Sequence, residues 1–170
     1  MKFVVVNGVP RSGKSLFVKY CLDELGDFGD ENSTVDFVKH LAILSGWDEV
    51  KTPKDRKFLS DLKDLLIEWN DVPYKKVVEE KNYFSESLGS ESDKGVFFTH
   101  CREPKEIQKF VDRENAITVL LRRATEESAE QSNHADANVF DFDYDYTIFN
   151  NGTLEDLKNS ASVFLYLIQN

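Results

Sequence analysis

The chain opens on an apolar block, "KFVVV" (2–6), and turns at once to polar, glycine-bearing sequence. Four of those five residues are apolar and three are β-branched, with no polar alternation, which predicts a strand buried on both faces. Beyond the glycines, Phe17, Val18, Cys21, Leu22 and Leu25 recur at helical spacing and predict an amphipathic helix ending near Gly26. A second helix is expected behind a cap at Ser33 or Thr34, with Val38, Leu41 and Ala42 as its apolar stripe and its end near Gly46. The clearest helical period runs through "DRKFLSDLKDLLIEWND" (55–71). There Phe58, Leu59, Leu62, Leu65, Leu66 and Trp69 fall on one face, and Asp55 sits where a helix dipole favours an acid.

The second half continues the alternation. "NYFSESLGSESDKG" (82–95) is polar and rich in Ser and Gly, and predicts a loop. "GVFFTHC" (95–101) predicts a buried strand, "PKEIQKFVDRE" (104–114) a helix with proline in its first turn, and "AITVLLRR" (116–123) another strand. A charged stretch from Ala124 to Asp145 follows; within it and just past it, "FDFDYDY" (140–146) alternates aromatic and acidic residues and suits an edge strand or a lid arm. "YTIFNNG" (146–152) predicts a last short strand, and "TLEDLKNSASVFLYLI" (153–168) a closing helix capped by Thr153. Strands alternating with helices imply right-handed crossovers. The expected architecture is a three-layer α/β/α fold with a mainly parallel five-stranded sheet, in one domain spanning 1–170.

Composition narrows the function classes. With 170 residues, 41% hydrophobic, 13 Phe and 6 Tyr, the chain has material for one sizeable core. Its 21 basic against 31 acidic side chains leave a net charge of −10, which argues against non-specific nucleic-acid or anionic-membrane binding. The apolar opening lacks the h-region and cleavage site of a signal peptide, and no window is long enough to span a bilayer, so a cytoplasmic protein is expected. Cys21 and Cys101 have no second thiol at zinc-like spacing and are expected to be buried and free.

The candidate chemistry lies in "NGVPRSGKSL" (7–16). Gly8, Gly13, Lys14 and Ser15 match G-x-x-x-x-G-K-[ST], and the motif falls between a buried strand and an amphipathic helix, the context it requires. Such a loop wraps a phosphate with backbone N–H groups while the following helix aims its positive end at the anion. In that setting the Lys14 ammonium neutralises the β- and γ-phosphates, and the Ser15 hydroxyl holds Mg²⁺.

"GVPRSGKS" resembles the loop of P-loop NTPases of the nucleoside-monophosphate-kinase-like group, in which a short G-x-P-x-S-G-K form is common. "GVFFTHCREPKEIQKFVDRENAITVLLRR" and "NHADANVFDFDYDYTIFNNGTLEDL" are similar in layout to phage deoxynucleoside monophosphate kinases and animal-type phosphomevalonate kinases. The resemblance implies a kinase that uses ATP and Mg²⁺ on a small phosphorylated acceptor, with a (deoxy)nucleoside monophosphate foremost, in a monomer or homodimer. It implies nucleotide contacts from Gly8, Val9, Pro10, Arg11, Ser12, Gly13, Lys14, Ser15 and Leu16. Arg102 is implied near the acceptor phosphate, Arg122 at the base of a lid at about 124–145, and Asn150, Asn151 and Gly152 near the adenine. An acceptor-side helical region at about 33–80 would bring Arg56 and Asp36 to the acceptor. The resemblance gives the catalytic roles to Lys14, Arg102 and Arg122: the ammonium offsets phosphate charge, and guanidinium forks clamp phosphates and stabilise charge on a transferring phosphoryl group.

Two departures bear on activity. Where many of these kinases end the third strand with an Asp that orders the Mg²⁺ water shell, "FFTHCRE" has His100, leaving Glu103 or Asp36 to substitute. The lid segment carries Glu126, Glu127 and His134 but no arginine after Arg123. The alternative reading is therefore a nucleotide-binding regulatory or interaction protein with little or no kinase activity. A GTPase switch lacks support, because the chain has no N-K-x-D guanine motif.

Overall fold

The computed structural model describes residues 1–123 and 138–170. Strand β1 (Lys2–Asn7), buried from Phe3 onward, lies at the centre of the sheet. Parallel neighbours β3 (Val96–His100) and β4 (Ile117–Arg122) flank it, and β2 (Gly29–Ser33) and β5 (Tyr146–Phe149) lie outside them, giving the order β2-β3-β1-β4-β5 with every pairing parallel. The helices are α1 (Lys14–Leu25), α2 (Asp36–Leu44), α3 (Pro53–Asn70), α4 (Val72–Leu88), α5 (Pro104–Glu114) and α6 (Leu154–Gln169).

The unbroken apolar run of β1 has its reason in two cores. Val4 and Val6 point into one core with Phe98, Phe17 of α1 and Phe164 of α6. Phe3 and Val5 point into the other with Phe97, Val77 and Phe84 of α4, and Ile107 and Phe110 of α5. A sheet covered on both faces needs apolar side chains at every position of its central strand. The result is the three-layer α/β/α fold with a five-stranded parallel sheet that the alternation predicts.

Helices α5 and α6 follow the sequence closely. Thr153 caps α6 in a reciprocal box with Asp156, whose carboxyl those bonds hold below its usual value. Elsewhere the structure corrects the pattern. "GDENS" becomes the edge strand β2, whose only buried residue is Asn32, so no apolar period announces it. The stretch 82–95 is not a loop: α4 runs on to Leu88 because Phe84 and Leu88 reach the core, and a 3-10 turn occupies Gly89–Lys94. Helix α2 begins without a side-chain cap; the Ser33 hydroxyl accepts from the Val35 N–H at 3.4 Å but donates to the His100 carbonyl at 3.3 Å, which ties it to β3 instead.

The long helix α3 exists as predicted, with a Thr52–Asp55 capping box, yet none of its residues is buried. Phe58, Leu65 and Trp69 are 40%, 61% and 74% exposed, because α3 packs on α2 and α4 outside the three layers. Its Lys63 forms a nearly buried ion pair with Glu106 of α5 at 2.7 Å. "FDFDYDY" does not form one edge strand; only its last residue, Tyr146, belongs to one, β5. A turn at 138–140 leads to Phe142 and Tyr144, which pack against the second core before Tyr146 opens β5. Of the stretch assigned to a lid, 124–137 lie outside the described residues, and Glu126, Glu127 and His134 with them. Both cysteines are free and buried, and burial raises the Cys21 thiol to about 12 and the Cys101 thiol well above its usual value. Among the described residues, no helix is long and apolar enough to cross a membrane.

The fold also sets an alkaline limit. Burial, with the hydrogen bond to Glu114 and that carboxylate's charge, raises Tyr74 to about 12; burial likewise raises Tyr144 to about 12 against an opposing hydrogen bond from Asn7. The unfolded chain surrenders these protons near 10 and the folded chain only near 12. Above pH 10 the unfolded state therefore binds fewer protons, so stability falls as pH rises from 10 to 12. Denaturant midpoints measured across that range are expected to decline, and the decline should be shallower in the Tyr74→Phe/Tyr144→Phe double variant.

Candidate phosphate-binding site

At the carboxyl end of β1 the chain leaves the sheet through Asn7, loops over Gly8–Gly13 and enters α1 at Lys14. This is the place where parallel sheets present ligands, beyond the carboxyl ends of their strands. The loop is held tight by a hydrogen bond from the Ser12 N–H to the Val9 carbonyl at 3.2 Å. The first helical bond runs from the Phe17 N–H to the Gly13 carbonyl at 2.9 Å. The unshared amides of the first turn therefore open toward the loop.

Gly8 (φ 146°) and Gly13 (φ 99°) hold backbone conformations that L side chains rarely adopt. Space reinforces the requirement. A Cβ on Gly8 would lie 2.4 Å from the Leu121 carbonyl oxygen, and one on Gly13 would lie 2.4 Å from Asn150 Nδ2. The glycines thus let the loop lie against β4 and the turn after β5, a role the motif alone does not disclose. Arg11 is exposed and left-handed at φ 67°, a strained choice for a residue with a side chain.

Side chains complete the site. Lys14 Nζ donates to the carbonyl oxygens of Gly8 and of Val9, the latter at 2.7 Å, so its ammonium is held across the mouth of the loop. Ser15 is exposed in the first turn of α1. Ser12 Oγ is buried with no hydrogen-bond partner among the described residues. The Asn150 amide donates from Nδ2 to the Ser12 carbonyl at 2.9 Å, and the Asn150 N–H donates to the Arg122 carbonyl at 2.7 Å. The guanidinium carbon of Arg122 lies 4.8 Å from the ring centroid of Phe140 and 6.0 Å from that of Phe149, in cation–π contact with both.

On the other side, Arg102 follows β3 and is half-buried, and its carbonyl accepts from Asn7 Nδ2 at 3.1 Å. The loop, Arg122, Asn150 and Arg102 are thereby joined by hydrogen bonds. Asn151 and Gly152 continue the turn, both exposed. Arg56 and Asp36 find partners locally: Arg56 Nε donates to the Lys51 carbonyl at 3.3 Å, and Asp36 pairs with Lys39 at 2.8 Å on its own helix. His100 Nε2 lies 3.0 Å from Glu31 Oε2, joining the end of β3 to the middle of β2, and Glu103 supplies the N-cap backbone of α5. Asn7 is the site residue that sequence reasoning missed; it precedes the motif, and no spacing rule flags it. Asn150 was expected near the adenine, whereas the structure also ties it to the loop backbone.

No protein-family model matches the sequence, and no curated protein is similar to it. Solved structures do match. An unliganded sugar kinase from Janibacter sp. HTCC2649 superposes with a TM-score of 0.57 at 15% identity, covering 99% of this chain and 96% of the other. The chain shares its fold. A dephospho-CoA kinase from Campylobacter jejuni gives a TM-score of 0.52 at 15% identity, over 98% of this chain and 97% of the other. Coverage is near-complete in both directions, so the likeness is one of the whole fold.

Proposed function

We propose that the chain is an ATP-dependent small-molecule kinase that transfers the γ-phosphoryl group to a small phosphorylated acceptor, with a (deoxy)nucleoside monophosphate as the first class to test. The observation that carries this reading is the ammonium of Lys14 held across a glycine loop at a strand-to-helix junction, with an arginine on each side, Arg102 and Arg122. Two proteins of the same fold are kinases by name, which is consistent with it. In this reading Gly8 to Leu16 hold the triphosphate. Lys14 offsets its charge, Arg122 holds the donor side between two aromatic rings, and Arg102 faces the acceptor. The helices over residues 33–80, with Arg56 and Asp36, form the acceptor side of one catalytic unit spanning 1–170.

The loop fits a triphosphate with Mg²⁺. Its tight Val9–Ser12 turn, the buried unpartnered Ser12 Oγ and the exposed Ser15 hydroxyl are the donor set such a ligand needs. Mg²⁺, if held by the Ser15 hydroxyl, would supply positive charge to offset that of the migrating phosphoryl group. Among the described residues no group of three or more His, Cys, Asp or Glu could hold a metal ion, so Ser15 and the nucleotide itself would hold it. The net charge of −10 disfavours non-specific binding to nucleic acid or an anionic membrane and so favours a small-molecule partner.

A second reading, a nucleotide-binding regulatory protein, is favoured by one observation: His100, where an acid would help order the metal's water shell, is paired with Glu31. ADP release measured against a panel of nucleoside monophosphates and other phosphorylated acceptors separates the two. Acceptor-dependent release supports the kinase, and binding without release supports the regulator. In the kinase, Arg102→Ala is expected to lower turnover about a hundredfold, through loss of a charge-assisted clamp, while leaving ATP affinity within about threefold.

A further inference from the structure

Asn7 is fully buried, and every polar hydrogen of its amide is committed to a different part of the site. Its Oδ1 accepts from the Gly8 N–H at 2.8 Å, at the first residue of the phosphate loop. Its Nδ2 donates to the Arg102 carbonyl at 3.1 Å, in the turn after β3, and to the Tyr144 hydroxyl at 2.7 Å, in the segment that leads into β5. The Tyr144 hydroxyl in turn donates a hydrogen bond to the Val139 carbonyl at 2.8 Å. The orientation of the amide is fixed, because reversing it would set an NH₂ group against the Gly8 N–H and an oxygen against the Arg102 carbonyl. Three segments far apart in sequence thus meet on one buried planar group, which cannot leave a partner unpaired without cost.

We propose that Asn7 is a positioning residue that couples the phosphate loop to the Arg102 turn and to the segment holding Val139 and Tyr144, so that nucleotide binding at Gly8 sets where Arg102 stands. The proposal rests on the loop binding a nucleoside triphosphate. A phosphate engaging the loop amides shifts the Gly8 peptide. The rigid amide carries that shift to the Arg102 carbonyl on one side and to the Tyr144 hydroxyl on the other. Neither Asn7 nor Tyr144 touches the reacting atoms in this account. Their effect is on the geometry of the arginine and on the order of the segment 138–145.

The test is amide hydrogen exchange on the full chain with and without ATP·Mg²⁺, read separately over residues 8–15, 100–104 and 138–145. In the wild type, binding is expected to slow exchange about tenfold in the loop and about threefold in the other two segments. Tyr144→Phe removes one hydroxyl and leaves the packing in place; it should keep the loop protection and lose the protection at 138–145. Asn7→Ala should keep part of the loop protection and lose both remote responses, and adding Tyr144→Phe to it should change nothing further at 138–145. Remote protection that persists in Asn7→Ala, or that is missing from the wild type while its loop is protected, overturns the coupling and leaves the nucleotide reading standing. A wild-type loop that gains no protection overturns the nucleotide reading, and the coupling with it. Should Asn7→Ala fail to fold, Tyr144→Phe decides alone: unchanged protection at 138–145 overturns the proposal.

Discussion

Lys14→Ala is expected to abolish the thermal stabilisation that ATP·Mg²⁺ gives the wild-type protein. A ligand at about a hundred times its dissociation constant adds about 2.7 kcal/mol, and a chain of this size gains about 2–4 °C per kcal/mol, so the wild type should rise by about 5–10 °C. The Lys14 ammonium already spans the loop through the Gly8 and Val9 carbonyls, so it needs little reorganisation to meet phosphate oxygens. Each charge-assisted hydrogen bond it makes is worth about 1.5–3 kcal/mol, and losing two costs a hundredfold or more in affinity. The variant also loses its bonds to those two carbonyls, so its own melting temperature will fall slightly. The decisive quantity is therefore the shift on adding ATP·Mg²⁺ to each protein. Equal shifts in wild type and Lys14→Ala would reject the phosphate-loop reading.

What the sequence disclosed and what it hid divide along physical lines. The central strands and the helices beside the core announced themselves because burial on one or two faces imposes an apolar period, as in "KFVVV" and in the Phe17, Val18, Cys21 series. Strand β2 is held by its register with β3, from Gly29 opposite Val96 to Ser33 opposite His100, and backbone pairing leaves no mark on side-chain pattern. Helix α3 shows the reverse error. Its stripe of Phe58, Leu65 and Trp69 has the period of a core helix, but period reports which residues share a face and not whether anything covers that face. The loop 82–95 failed because the two apolar side chains that anchor α4 there, Phe84 and Leu88, are thinly spread among serines and acids.

The site follows the same division. The glycine loop is local, so its spacing is readable. Its supports are not: Asn7, Asn150 and Leu121 act through contacts with residues more than a hundred positions away. Arg122 is legible from its place at the end of a strand, but its two aromatic neighbours, Phe140 in a turn and Phe149 in β5, reach it through tertiary contacts that local spacing does not reveal. His100 was read as a missing acid; the structure adds that Glu31, from the strand the pattern did not reveal, is its partner.

The support that Asn150 gives the loop can be measured with a matched pair of glycines. Gly13 and Gly46 have nearly the same backbone strain, at φ 99° and φ 96°, but different surroundings. A Cβ at Gly46 meets nothing within 4 Å, so Gly46→Ala should cost only the left-handed penalty, about 1–2 kcal/mol. Gly13→Ala carries the same strain and adds a Cβ 2.4 Å from Asn150 Nδ2. Asn150 is buried and bonded to the Ser12 and Arg122 carbonyls, so it cannot swing aside without leaving the Ser12 carbonyl unpaired, which adds about 1–3 kcal/mol. Denaturant melts should therefore separate the two variants by that amount. Only Gly13→Ala should also lose the stabilisation by ATP·Mg²⁺, since the loop must move to accommodate the methyl group. If the two variants are equally stable, the contact with Asn150 does not hold the loop. If Gly13→Ala is less stable yet binds nucleotide as the wild type does, Asn150 supports the fold there without shaping the phosphate site.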